Sequence, residues 1–188
     1  MAIVKQRETA DHLHVANNRQ VLVSHVTKIA AVDPLSFFTV GLENYAGERF
    51  YWADPTRNQL FVGLGHAYTI EARGNNRFSD VKRKRQALLN TCVLEGDATV
   101  LGTGPLLFGG FSFDPKAEKT ALWRSFPDAL FIVPTYLLTV MNGECWLTVN
   151  KVVKQRARSA HPDERIEYLL NSARSIDRKW EKQQERAT

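Results

Sequence analysis

The sequence predicts an α+β fold rich in antiparallel sheet. Three observations predict it. Asn142-Gly143 sits between two alternating apolar runs, which is the chemistry of a two-residue hairpin turn. Short apolar runs recur along the chain, punctuated by Gly, Pro, Asn and Asp clusters such as Asp54-Pro55-Thr56-Arg57-Asn58 and Gly74-Asn75-Asn76. Helical spacing of apolar residues is confined to three segments, near 34–44, 77–91 and 163–182. The composition suits such a fold. At 188 residues, 44% hydrophobic and 24% charged, the chain can bury one sizeable core and reads as a single domain over 1–188, without repeats or linkers.

The elements follow in order. Residues 1–19 are polar and weakly patterned, a leading arm. The sheet-rich core spans 20–150. It opens with a strand over 20–30 that is apolar on both faces: Val21, Val23 and Ile29 on one, Leu22, Val26 and Ala30 on the other. Asp33-Pro34 supplies an N-cap followed by proline at the first helical position, and Leu35, Phe38 and Leu42 give a short helix its apolar stripe, ended by Gly47. Three short strands are expected at 50–52, 59–63 and 66–72, with Gly63-Leu64-Gly65 breaking the last two apart. A helix over 77–91 presents Phe78, Val81, Leu88 and Leu89 inward and Lys82-Arg83-Lys84-Arg85 outward. Residues 105–114 read as a second two-sided strand, Leu107, Phe111 and Phe113 against Leu106 and Phe108, with Gly109-Gly110 marking a bulge or a close backbone neighbour.

At the hairpin, pairing Met141 with Glu144 places Val140 opposite Cys145, Leu138 opposite Leu147 and Tyr136 opposite Val149. Those six form one apolar face, with Thr135, Thr139, Thr148 and Asn150 on the other. Pro134 marks the point where the first strand leaves regular pairing. His161-Pro162-Asp163 opens a last helix, 163–182, striped by Ile166, Leu169, Leu170, Ala173, Ile176 and Trp180, with a fraying tail from Gln183 to Thr188.

The residues show no catalytic constellation, and no catalytic, cofactor-binding or metal-binding residue is assigned. Gly63-Leu64-Gly65-His66-Ala67-Tyr68 begins like a dinucleotide fingerprint, but Tyr68 replaces the third glycine, and a tight turn is the better reading. His12 and His14 have no third ligand nearby; His25 and His66 fall in strands without a nucleophile or carboxylate partner. Cys92 and Cys145 are too far apart in sequence to suggest a disulfide framework, and Cys145 belongs to an apolar face. The cations Lys82 to Arg85 spread around a helix without aromatic company, which argues for a solvated face and against nucleic acid. Trp52, Trp146 and Trp180 read as packing residues. No segment has the length and apolarity of a signal peptide or membrane span, so a cytoplasmic location without membrane partners is expected.

A set of strings carries a family resemblance. Phe50-Tyr51-Trp52-Ala53-Asp54-Pro55 is followed by Phe61-Val62-Gly63-Leu64-Gly65, then by Gly104-Pro105-Leu106-Leu107-Phe108-Gly109-Gly110-Phe111-Ser112-Phe113-Asp114. Trp123 and Phe126-Pro127-Asp128-Ala129-Leu130-Phe131-Ile132-Val133-Pro134 come next. Their order and spacing, over about residues 20–150, resemble the N-terminal region of isochorismate synthases, especially the menaquinone-pathway type, within the chorismate-utilising enzymes. The resemblance implies part of the fold of the anthranilate synthase large subunit, two stacked antiparallel sheets with helices outside. It also implies Mg²⁺-dependent chemistry that moves a hydroxyl around the chorismate ring, with a lysine general base and a glutamate general acid.

In that family these groups lie in the C-terminal half, beyond the helix corresponding to 163–182. The expectation is therefore a non-catalytic portion, inactive alone, whose partner is the C-terminal catalytic half. Lys151-Val152-Val153 superficially matches the strand bearing the family's basic lysine, but it lies upstream of that helix and continues the hairpin. A free-standing binding domain on the same scaffold is the alternative. The two-sided strands at 20–30 and 105–114 further lead to the expectation of an uncovered apolar face and a twofold homodimer.

Overall fold

The computed structural model describes residues 20–114, 118–154 and 165–187. The leading arm, the His161-Pro162-Asp163 helix start, and His12 and His14 lie outside them. The elements are β1 (Gln20–Ile29), α1 (Pro34–Asn44), β2 (Arg49–Asp54), a 3₁₀ turn (Pro55–Arg57), β3 (Gln59–Ala72), α2 (Arg77–Thr91), β4 (Val93–Gly96), β5 (Phe108–Phe111), β6 (Ala129–Met141), β7 (Glu144–Lys154) and α3 (Arg165–Ala187). One mixed seven-stranded sheet runs β2-β3-β6-β7-β1-β4, with β5 on the free part of β6. All pairings are antiparallel except β1 with β4. The fold is α+β.

The hairpin sets the register of the sheet. Asn142 and Gly143 both take positive φ, 52° and 80°, as a type I′ turn requires. The pairs Met141–Glu144, Val140–Cys145, Leu138–Leu147 and Tyr136–Val149 all form. Their apolar face joins Val62, Leu64, Phe37, Leu169, Leu170 and Ala173 in the main core, under α1 and α3. The opposite face is not left to water. Thr139, Thr148 and Asn150 are buried; the loop 97–107 supplies backbone partners to Thr139 and Thr148, and Asn150 bonds the Pro134 carbonyl.

Leu22 on β1 packs with Leu88 of α2 and with Val133, and Leu22, Val23 and Val26 are all at most 1% exposed. The apolar residues at the centre of the two-sided strand thus find cover within the chain, while the His25 side chain beside them stays 44% exposed.

Four local expectations are corrected. In α1, Asp33 caps Ser36 N–H at 2.6 Å, but the buried stripe is Ser36, Phe37, Val40 and Gly41, whereas Leu35 and Leu42 are exposed. An 11-residue helix carries two stripes at helical spacing here. The one that seats small residues against the sheet wins, since a Cβ on Gly41 would lie 2.3 Å from Leu64 Cδ2. The helix is capped at Tyr45, two residues before Gly47.

Next, Gly63-Leu64-Gly65 is neither a turn nor a break. β3 runs unbroken through it, and the irregularity is a β-bulge between His66 and Tyr68, opposite Pro134. A proline cannot donate to a ladder, so β3 carries an extra residue where β6 lacks an N–H.

The segment 105–114 is a strand only at Phe108–Phe111, and Phe113 is fully exposed, so it is not two-sided. Gly109 does meet a close backbone neighbour: a Cβ there would lie 2.0 Å from the Leu130 carbonyl oxygen. Finally, α3 runs to Ala187, past the boundary at 182 expected from its apolar stripe. The short parallel strand β4 had no sequence signal strong enough to predict it.

Candidate functional site

Three polar or cleft-forming arrangements stand out. The first is a cleft of about 320 Å³ beside the β3 bulge, lined by Arg49, Phe50, His66, Phe108, Leu130 and Ile132 together with Gly47 and Gly109. Phe50 and Phe108 pack with ring centroids 4.4 Å apart. The guanidinium of Arg49 is held in place: Nη1 donates to the Phe38 carbonyl at 2.7 Å, and the group sits 4.0 Å over the Phe38 ring. His66 is exposed at the bulge. The Gly65 N–H donates to the Glu48 carbonyl at 2.7 Å, which fixes the bulge against the start of β2.

The second is a charged knot at the N-terminus of α2. Asp128, 6% exposed, accepts from the Gly74 N–H at 2.6 Å, and Lys119 Nζ lies 2.6 Å from its other oxygen. The Gly74 hydrogen bond first, and Lys119 second, hold the Asp128 carboxyl below its ordinary value. Arg77, also buried, donates to the carbonyls of Gly74, Ser112 and Phe113 at 3.3–3.5 Å and lies 4.4 Å over Phe78. The knot ties the turn before α2 to Ser112 and Phe113 after β5 and to Asp128 before β6. Its hydrogen bonds go mostly to backbone, which marks it as structural.

The third is the buried polar row under the loop 97–107. Thr139 Oγ1 donates to the Gly102 carbonyl at 2.6 Å, Thr148 Oγ1 accepts from the Gly104 N–H at 3.2 Å, and Asn150 Nδ2 donates to the Pro134 carbonyl at 2.8 Å.

Of the residues weighed in the sequence, His66 lines the cleft at the bulge, and the others converge on none of these. His25 Nδ1 lies 3.4 Å from Glu95 across β1 and β4, a surface pair at the sheet edge. Cys145 is buried in the main core; Cys92 is partly covered, and burial pushes its thiol up, away from reactivity. Lys82 to Arg85 are all exposed, Arg83 pairing with Asp80 at 3.0 Å and Lys84 donating to the Glu71 carbonyl at 2.6 Å. Trp146 is buried, whereas Trp52 and Trp180 are exposed by 45% and 39%, so packing accounts fully only for the first. Lys151 sits in β7 opposite Val23, exposed. Sequence reasoning missed Arg77 and Asp128 as buried charges. The available signal was the Gly-Asn-Asn turn that must place whatever follows it against the sheet.

Residues 6–188 match the sequence pattern of the chorismate binding enzymes. The chain belongs to that family. Among curated proteins, it is similar to the isochorismate synthase MenF of Bacillus subtilis, 36% identical over 155 residues, which cover 79% of this chain and 33% of that protein. It is also similar to the salicylate biosynthesis isochorismate synthase of Pseudomonas aeruginosa, 32% identical over 114 residues, 61% of this chain and 22% of the relative. The menaquinone-specific isochorismate synthase MenF of Escherichia coli aligns in structure over 86% of this chain and 29% of its own, at a TM-score of 0.45 and 15% identity. This chorismate binding enzyme chain thus spans a third or less of the length of the relatives it matches. Among its described residues, no group of three or more His, Cys, Asp or Glu side chains is placed to hold a metal ion. None of its described helices is long and apolar enough to cross a membrane.

Proposed function

We propose that this chain is the non-catalytic, N-terminal scaffold portion of an isochorismate synthase that converts chorismate to isochorismate for menaquinone biosynthesis. The observation that carries the reading is the family match over 6–188, combined with 36% identity to a MenF of which the chain spans a third. In this reading the lysine base, the glutamate acid and the Mg²⁺ carboxylates belong to the C-terminal catalytic half. The sheet described above is the wall against which that half is held. Apolar side chains support such a partner: Leu101, Phe113, Leu122, Trp123 and Phe126, outside the helices and strands, are exposed by 47–103%. The reading places the protein in the cytoplasm and gives Lys82 to Arg85 no nucleic-acid partner.

The test is a coupled chorismate assay with Mg²⁺. The chain alone is expected to show no turnover above background. Adding a separately produced C-terminal half, corresponding to the remainder of the Bacillus relative, is expected to restore it. Turnover by the chain alone would overturn the scaffold reading.

A further inference from the structure

We infer that the β1–β7 ladder, beside the point where β6 and β7 part, is a binding site for one ordered water, held between Ser24 of β1 and Asn150 of β7. The strands β6 and β7 pair from Met141–Glu144 to Tyr136–Val149 and then part. Beyond that point β7 continues against β1 alone, and β6 continues between β3 and β5. Asn150 is the first residue of β7 past the split. Its amide donates to the Pro134 carbonyl, replacing with a side chain the ladder bond the split removes. This leaves its Oδ1 with no protein partner at a residue only 1% exposed.

Directly across the β1–β7 ladder stands Ser24, 0% exposed, whose Oγ is likewise without a partner. Two orphaned oxygens on directly paired residues point to one shared occupant. Directly opposite residues hold their Cβ atoms about 4.5–5.5 Å apart, close enough for two oxygens that are not bonded to each other to share one water through legs of about 2.8 Å.

The surroundings favour the same occupant. β1 is an interior strand, its main chain engaged by β7 on one side and β4 on the other. On this face the loop 97–107 reaches Thr148, whose hydroxyl takes the Gly104 N–H, and α2 reaches Leu22 through Leu88. Ser24 and Asn150 occupy the seam between those two covers. A water there has the Asn150 carbonyl as acceptor and the Ser24 hydroxyl as donor or acceptor, the polar partners a buried water needs.

The experiment is a crystal structure of the chain, paired with NMR cross-relaxation between water and the Asn150 side-chain amide. A density peak within hydrogen-bond distance of both Ser24 Oγ and Asn150 Oδ1 is expected, with a cross-peak that is weakened or lost in Ser24→Ala. A direct Ser24–Asn150 hydrogen bond with no density between them would overturn the inference, as would a cross-peak unchanged in Ser24→Ala. The wild-type measurement decides the question even where a variant fails to fold.

Discussion

At the scale of single residues, the adjacent pair Gly109 and Gly110 shows how backbone approach outweighs residue type. A Cβ on Gly109 would meet the Leu130 carbonyl oxygen at 2.0 Å, a backbone atom that cannot step aside, whereas nothing lies within 4 Å of one on Gly110. Gly109→Ala should therefore destabilise by about 1–3 kcal/mol, the usual cost of overpacking. Gly110→Ala should stay within about 0.5 kcal/mol. Urea midpoints of the two variants check this, and equal effects would refute the close approach. Asp128 supplies a second residue-scale prediction. Its carboxyl is held below the ordinary value of 3.8, so the stability it contributes is present above that pH and lost as pH falls through the lowered value. Asp128→Asn should flatten the acid limb of the stability profile below about pH 4 and leave the pH dependence between about 5 and 7 unchanged.

Elements follow pattern where their faces face one environment. α3 illustrates this: Leu169, Leu170 and Ala173 are buried by the main core, Ile166 and Ile176 are partly covered, and Trp180 is exposed by 39%. The stripe read from sequence continues to Trp180, but the core contact along it reaches only as far as Ile176. Leu169→Ala is expected to cost about 2–5 kcal/mol. Trp180→Ala should fall within about 1 kcal/mol, well short of a core aromatic. Chemical denaturation separates them. In α1, spacing alone offered two stripes, and the choice between Leu35/Leu42 and Phe37/Val40 was made by Leu64 lying close beneath Gly41. The bulge at His66 has the same character: its cause, Pro134, is a residue on another strand.

For the whole molecule, the apolar surface lies elsewhere than strand patterning implied. Leu22, Val23 and Val26 of β1 are buried, α2 covering Leu22 through Leu88, while Leu101, Phe113, Leu122, Trp123 and Phe126 are exposed on loops. If these residues form the seat of a C-terminal half, the isolated chain should associate with itself through them, most simply as a twofold pair. Light scattering at micromolar concentration should then show dimers, and Trp123→Ser with Phe126→Ser should return monomers without loss of far-UV signal. A monomer that binds no apolar dye would favour a free-standing domain over a scaffold portion.

The sequence by itself determined the hairpin register, the helix start at Asp33-Pro34, the helix at 77–91, the class of the fold and the family. Each rests on a local signal: a turn that admits only certain residues, a cap, a periodicity, or a string of residues in order. Only the tertiary structure decided which stripe of α1 is buried, that β3 runs unbroken through Gly63-Leu64-Gly65, that β4 lies parallel beside β1, and that the polar face of the hairpin is roofed by 97–107. The buried polar groups Arg77, Asp128, Ser24 and Asn150 belong to this second set. Whether a polar side chain is buried depends on which distant segment comes to cover it, and a polar residue on a strand reads the same in sequence whether water or a loop carbonyl satisfies it.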